Sequence, residues 1–252
     1  MNPRMLHIPR FSIAALAAVF SACSAPVGEP ALRDKKSATV LKAMSAKLAA
    51  ADTLGFEATR SVYPSSHGRL GVPEHAQLNG VVKRPGSLWL DGHSSEGRRT
   101  VVYDGRQIVF IDHRAGTHAR TAASPTLDAV CYWFASQYGF LPPLAELLVN
   151  DPARFLLDGV KRGSHVGTEW ISGVKCDHLT FRQPGLTWEL WVGVDDSLPR
   201  QFVQRYFSGA SGARTVSTTI HRWILNPRVP ADRFQIRIPS GSRKVDLTSL
   251  KP

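Results

Sequence analysis

The stretch VKCDHLTFRQPGLTWELWVGVDDSLPR, residues Val174–Arg200, decides the fold. Two runs of strand chemistry, Val174–Arg182 and Thr187–Val194, flank Gln183-Pro184-Gly185. Proline presets φ at the first corner of a turn and glycine accepts the positive φ that often follows, so the runs are expected to pair as a hairpin. A second turn at Asp195-Asp196-Ser197 leads into a third run, Pro199–Phe207, which extends the hairpin into an antiparallel meander. Side chains alternate along a strand, so Trp188 and Trp191 point to opposite faces. Trp188 shares its face with Leu190, Val192 and Val194, while Trp191 shares its face with Glu189 and Gly193. One face is apolar and the other mixed, the pattern of a curved sheet covered on one side.

Strand signals continue on both sides of this meander. Upstream, Leu54–Tyr63 sets Leu54, Phe56 and Ala58 against Glu57, Thr59 and Ser61, and Ala76–Arg84 and Ser87–Asp91 follow. Arg99–Tyr103 and Gln107–Asp112 flank Asp104-Gly105, expected to form a type I′ turn because both residues tolerate φ > 0. After Thr117–Arg120 the pattern changes. Ser124 is placed to cap a helix with Pro125 at its first position, and Leu127–Tyr138 carries Val130, Cys131 and Phe134 on one side before Gly139. Pro142-Pro143 and Asp151-Pro152 open two short helices, Leu144–Leu148 and Ala153–Leu157. Strands resume at Val160–Ile171, and beyond the meander come Arg214–Leu225 and a last short run, Phe234–Ile238. Ahead of every strand, Ser37–Ala51 predicts a helix capped by Ser37, with Val40, Leu41, Met44 and Leu48 on one face. Such a basic amphipathic helix either lies on a membrane or docks on a core. Hairpin spacing throughout predicts a mostly antiparallel sheet.

The 252 residues carry a formal charge of +11, spread as single Arg and Lys residues. That field suits anionic partners such as phospholipid head groups, acidic polysaccharide or nucleic acid, or serves solubility alone. No run of five or six like charges occurs, so no basic disordered tail is expected; among the partner classes nucleic acid is not the expected one. Met1–Arg10 is positively charged, and Phe11–Ala22 is apolar but too short to span a bilayer, as in a secretory signal. Phe20-Ser21-Ala22-Cys23 resembles the bacterial lipobox, in which the cysteine is acylated and becomes the new N-terminus, although Phe20 stands where leucine is usual. By the same resemblance, Ser24 in place of aspartate implies sorting to the outer membrane, facing the periplasm; a soluble periplasmic chain is the alternative. The expected organisation is a signal over 1–22, a lipidated tether over 23–36 and one domain over 37–252. With Cys23 acylated, Cys131 and Cys176 either form one disulfide or remain two separate buried thiols.

Motifs for catalysis are weak. Asp177-His178 is no acid–base pair by adjacency, since neighbours on a strand face opposite ways. Ser172-Gly173-Val174-Lys175 has the Ser-x-x-Lys spacing of penicillin-binding enzymes, but falls on a strand turn without the companion motifs. His113 and His118 match no recognised zinc spacing, so neither metal nor cofactor is expected. A binding protein is therefore expected rather than an enzyme. An envelope interaction or sensing protein is the alternative, and a hydrolase is the least favoured reading.

In order along the chain, Arg84-Pro85, Tyr103-Asp104-Gly105, Pro142-Pro143-Leu144, Gly173–Arg182, Trp188-Glu189-Leu190-Trp191, Leu198-Pro199, Trp223–Pro227 and Phe234 before Pro239 resemble a family of periplasmic proteins of unknown function. That family is in turn similar to the LolA/LolB lipoprotein carriers. The resemblance implies an α+β fold whose mostly antiparallel, strongly curved sheet forms an unclosed half-barrel with a helical lid. It also implies a cavity for a hydrophobic ligand, a lipid or an acylated protein. Phe56, Tyr103, Phe110, Phe181, Trp188, Leu190 and Val192 lie on apolar strand faces and are the expected cavity wall; the alternative is a filled core. Expected partners are the hydrophobic ligand, the membrane through the lipid anchor, and an envelope protein.

Overall fold

The computed structural model describes residues 34–66, 69–207 and 213–250. The expected signal, Cys23 and most of the tether lie outside the described residues. Helix α1 (Lys35–Ala49) precedes strands β1 (Thr53–Ser66), β2 (Arg69–Leu70), β3 (Glu74–Lys83), β4 (Ser87–Ser94), β5 (Gly97–Tyr103), β6 (Gln107–Asp112) and β7 (Thr117–Ala122). Helices α2 (Leu127–Tyr138), α3 (Ala145–Leu148) and α4 (Pro152–Leu157) follow. The chain then returns through β8 (Arg162–Ile171), β9 (Val174–Gln183), β10 (Leu186–Gly193), β11 (Pro199–Tyr206), β12 (Arg214–Leu225) and β13 (Arg243–Lys244). The described strands form one sheet in the order β13-β7-β6-β5-β4-β3-β1-β12-β11-β10-β9-β8, with β2 paired to β1. Every pairing is antiparallel except β13 on β7. β8 and β13 end the order without meeting, so the barrel is unclosed.

The deciding stretch folds as expected. β9 and β10 pair from Gln183↔Leu186 to Cys176↔Gly193 around Pro184-Gly185, with Gly185 at φ 73. Trp188 stacks on Phe181 at 4.0 Å on the inner face, and Trp191 stacks on His178 at 4.1 Å on the outer face. Four details differ from the sequence expectation. Asp104 does not adopt positive φ: its carboxylate accepts the N–H groups of Arg106 and Gln107, both at 2.9 Å, and Gly105 alone turns at φ 88. That is the local bond an aspartate offers in place of a type I′ turn. Thr126, not Ser124, caps α2, accepting from the Ala129 N–H at 3.3 Å. Asp34, not Ser37, caps α1, accepting from the Lys36 N–H at 2.9 Å, so the folded part begins inside the expected tether. Finally, 234–238 is not a strand. Ala231–Phe234 is a 3₁₀ turn held to the outer face of β4, where the Arg233 guanidinium lies 4.7 Å over the Trp89 ring. The free edge of β7 is taken instead by β13.

Helix α1 docks on the core, burying Leu41, Met44 and Leu48 as the spacing predicts. Arg84, at the end of β3, fastens the helices to the sheet. Its guanidinium donates to the carbonyls of Ala51 (3.1 Å), Leu148 (3.0 Å) and Val149 (2.8 Å), satisfying orphan carbonyls just past α1 and at the end of α3. Burial lowers its pKa, but a guanidinium with this many acceptors remains charged.

Candidate functional site

The inner face of the sheet divides into a filled end and an empty end. Along β1 the inward positions run Leu54, Phe56, Ala58, then Arg60, Val62 and Pro64; the first three are buried in the core and the last three line a cavity. β3 changes in the same way: Val82 packs in the core, while Ala76 and Glu74 face the cavity. β4, β5 and β6 contribute Leu90, Val101 and Phe110, and the α2–α3 connection contributes Phe140, Leu141 and Pro142. The cavity measures about 1130 Å³. A packed interior leaves few voids larger than a water, so this volume is a ligand-sized space and not a packing defect.

Of the seven expected wall residues, Phe110 lines the cavity. Its ring contacts Phe134 at 5.5 Å and Phe140 at 6.2 Å, which ties the wall to α2 and the connection beyond it. The other six are buried in the filled end: Phe56, Tyr103, Phe181, Trp188, Leu190 and Val192 interlock with one another and with the helices. Phe56 lies so close over Gly80 that a Cβ there would fall 2.2 Å from its ring. Tyr103 donates its hydroxyl to the Ser124 carbonyl, and burial pushes its pKa up to about 12. Trp188 is enclosed between Phe181 and an edge contact to Phe202 at 6.0 Å. These faces do converge under the helices, but Leu41, Met44, Leu147 and Leu148 fill the space between them.

Cys131 and Cys176 are free and buried, so the disulfide reading gives way to two thiols. They belong to separate clusters: Cys131 packs in the inner core, and Cys176 packs with Trp191 and Val203 on the outer face. Asp177 and His178 also part. Asp177 bonds the His165 ring at 2.7 Å and pairs with Lys36 at 3.2 Å. His178 lies between Glu169 and Glu189, each at 3.0 Å. The Trp191 N–H, which donates to Glu169 at 3.1 Å, is the main cause holding that carboxyl below its ordinary pKa. His113 is bonded to Thr100 and His118 to Ser242.

The wall also carries charge that the sequence reading does not single out, Glu74, Arg99, Asp112 and Lys244 included, and two of its charged residues reach a second space. Arg60 on β1 and Arg214 on β12 line both the cavity and an adjoining recess of about 30 Å³. Parity along the strand is the signal that finds them. Arg60 continues the inward series Leu54, Phe56, Ala58, and Arg214 shares its face with Val216 and Ile220. A charged residue in an inward position is the informative exception on a half-buried strand.

Residues 37–248 match the family model described as "predicted periplasmic protein (DUF2092)". The chain belongs to this family. The description names a compartment, the periplasm, and no reaction. Among curated proteins none matches the chain. Among solved structures, an uncharacterized conserved protein from Thermus thermophilus shares the fold at 9% identity and a TM-score of 0.51, over 83% of this chain and 99% of that one. Lower similarity extends to lipoprotein LppX of Mycobacterium tuberculosis, with 12% identity, a TM-score of 0.44, and 77% and 99% of the two chains covered. It extends also to a LolA-superfamily protein of Nitrosomonas europaea, with 9% identity, a TM-score of 0.38, and 79% and 97% covered.

Proposed function

We propose that this periplasmic protein binds the apolar part of a lipid or acylated ligand in the cavity between β1, β3–β6 and the α2–α3 connection. The observation that carries the reading is the space itself: about 1130 Å³ bounded by Val62, Leu78, Leu90, Val101, Phe110 and Leu141. Each methylene moved from water into such a wall contributes about 0.8 kcal/mol, so a sixteen-carbon chain contributes about 13 kcal/mol, which association costs of about 4–5 kcal/mol reduce to about 8 kcal/mol. Micromolar-type binding follows. Acylation of Cys23 would hold the carrier at the outer membrane, within reach of lipids and acylated proteins. The filled end, clamped by Arg84, is the frame, and the α2–α3 connection borders the cavity.

The test is titration of a fluorescent acyl probe into the delipidated protein. Saturable binding is expected, lost in Val62→Trp, which places an indole in the cavity on a strand that tolerates aromatic residues. Absence of binding by a folded wild type would hand the lead to an envelope-interaction role. The free edge of β8 then becomes the surface to test, since it carries Trp170 and Val166, 71% and 55% exposed.

A further inference from the structure

We propose that Arg60 and Arg214 form an oxyanion-binding site in the cavity wall, so that the ligand is an anionic amphiphile with a carboxylate or phosphate head and an acyl body. The inference rests on the cavity-binding reading and adds the chemical class of the head group.

Three observations carry it. First, the Arg60 side chain makes no hydrogen bond or ion pair among the described residues, although it stands on the inner face of the sheet between β3 and β12. Burial is the main effect lowering its pKa, yet a guanidinium stays protonated in proteins, so a positive charge is held at the wall without a partner. Second, Arg214 Nε is buried with no hydrogen-bond partner among the described residues, while the guanidinium lies 4.4 Å over the Tyr206 ring. Two adjacent strands thus present donors to one recess. A buried donor left unsatisfied is costly, and Arg214 Nε beside the Arg60 guanidinium calls for an acceptor group. Third, the nearby carboxylates do not serve. Glu146 and Glu74 both attract Arg60 electrostatically but neither makes an ion pair with it, and Glu146 instead accepts from Gln204 Nε2 at 3.0 Å. Burial raises the Glu146 pKa, which weakens it further as a counter-charge. Tyr206, pushed up to about 12 mainly by burial, keeps its phenolic proton and lines the same recess.

Planar guanidinium groups match carboxylate and phosphate oxygens bidentately. The recess opens beside the apolar walls of Phe140 and Leu141. An oxyanion seated there leaves its acyl chain directed along the larger space.

The experiment uses the mature protein and two matched probes, dansylaminoundecanoic acid and its methyl ester. Wild type is expected to bind the acid about tenfold more tightly than the ester, the order of one charge-assisted contact. Arg60→Met and Arg214→Met should each remove that preference, so that acid and ester bind each variant with equal affinity. Removing an unpaired buried charge should leave Arg60→Met at least as stable as wild type, an outcome a purely structural arginine would not give. Displacement of the acid probe by decanoate alone identifies a free fatty acid, and displacement by short-chain phosphatidylglycerol identifies a phospholipid head group; either supports the site. Equal affinity of wild type for acid and ester overturns the oxyanion site while leaving the cavity reading intact. Binding of neither probe overturns the cavity reading itself. The wild-type comparison needs no variant to fold.

Discussion

Phe181→Ala and Phe110→Ala remove the same ring from inward positions on two strands, and the structure gives them different costs. Phe181 is 1% exposed and stacked on Trp188, so its removal opens a new void in a packed core. That costs about 3–5 kcal/mol. Phe110 is only partly buried and already borders empty space. Its removal loses contacts with Phe134 and Phe140 but enlarges an existing cavity, which should cost about 1–2 kcal/mol, mostly transfer energy. In a domain of this size each kcal/mol moves Tm by about 2–4 °C. The expected drops are therefore about 6–20 °C for Phe181→Ala and about 2–8 °C for Phe110→Ala. Guanidinium titration of delipidated protein, followed by far-UV circular dichroism, supplies the free energies. Equal costs for the two variants would refute the division into a filled and an empty end.

Other perturbations read other parts of the structure. Burial raises the Glu146 pKa, so the folded protein keeps a proton that the unfolded chain releases, and stability falls as pH rises through that raised value. Glu146→Gln should therefore be more stable than wild type near neutral pH, with the difference vanishing at the ordinary glutamate pKa; a pH-independent difference in urea titrations contradicts this. Burial also lifts the thiols of Cys131 and Cys176, so neither should react with a disulfide reagent in the native state and both should react after denaturation. Recovery of a peptide joining the two would overturn the assignment. Cys23→Ser should move the protein from the membrane to the soluble periplasmic fraction, whereas a wild type that is soluble and unmodified contradicts the anchor.

Alternation made the sheet legible: the opposed faces of Trp188 and Trp191, the Pro184-Gly185 turn and the span of α2 all follow from local chemistry. Caps were less legible, because Ser124 and Thr126, or Asp34 and Ser37, offer the same bond within one turn of each other. The location of the cavity was not legible at all. Period-2 patterning says which side chains point inward but not what meets them there. Phe56 and Val62 share a strand face, yet one is met by Trp223 and the other by empty space. What fills the interior is decided by the far-off helices, where Leu41, Met44 and Leu148 reach one end of the sheet only. The disulfide question was open for a similar reason, since spacing in sequence does not tell which side of a sheet a cysteine occupies. Arg60 was legible in principle, as a charge continuing the apolar series Leu54, Phe56, Ala58.

The most direct test of the central claim is mass spectrometry of the lipid extracted from wild-type protein purified gently from the periplasm or outer membrane, with Val62→Trp prepared in parallel. The account predicts an acyl-chain compound in near one-to-one ratio with wild type and absent from the variant. Wild-type protein free of such a compound, or the same amount bound to both proteins, would contradict it.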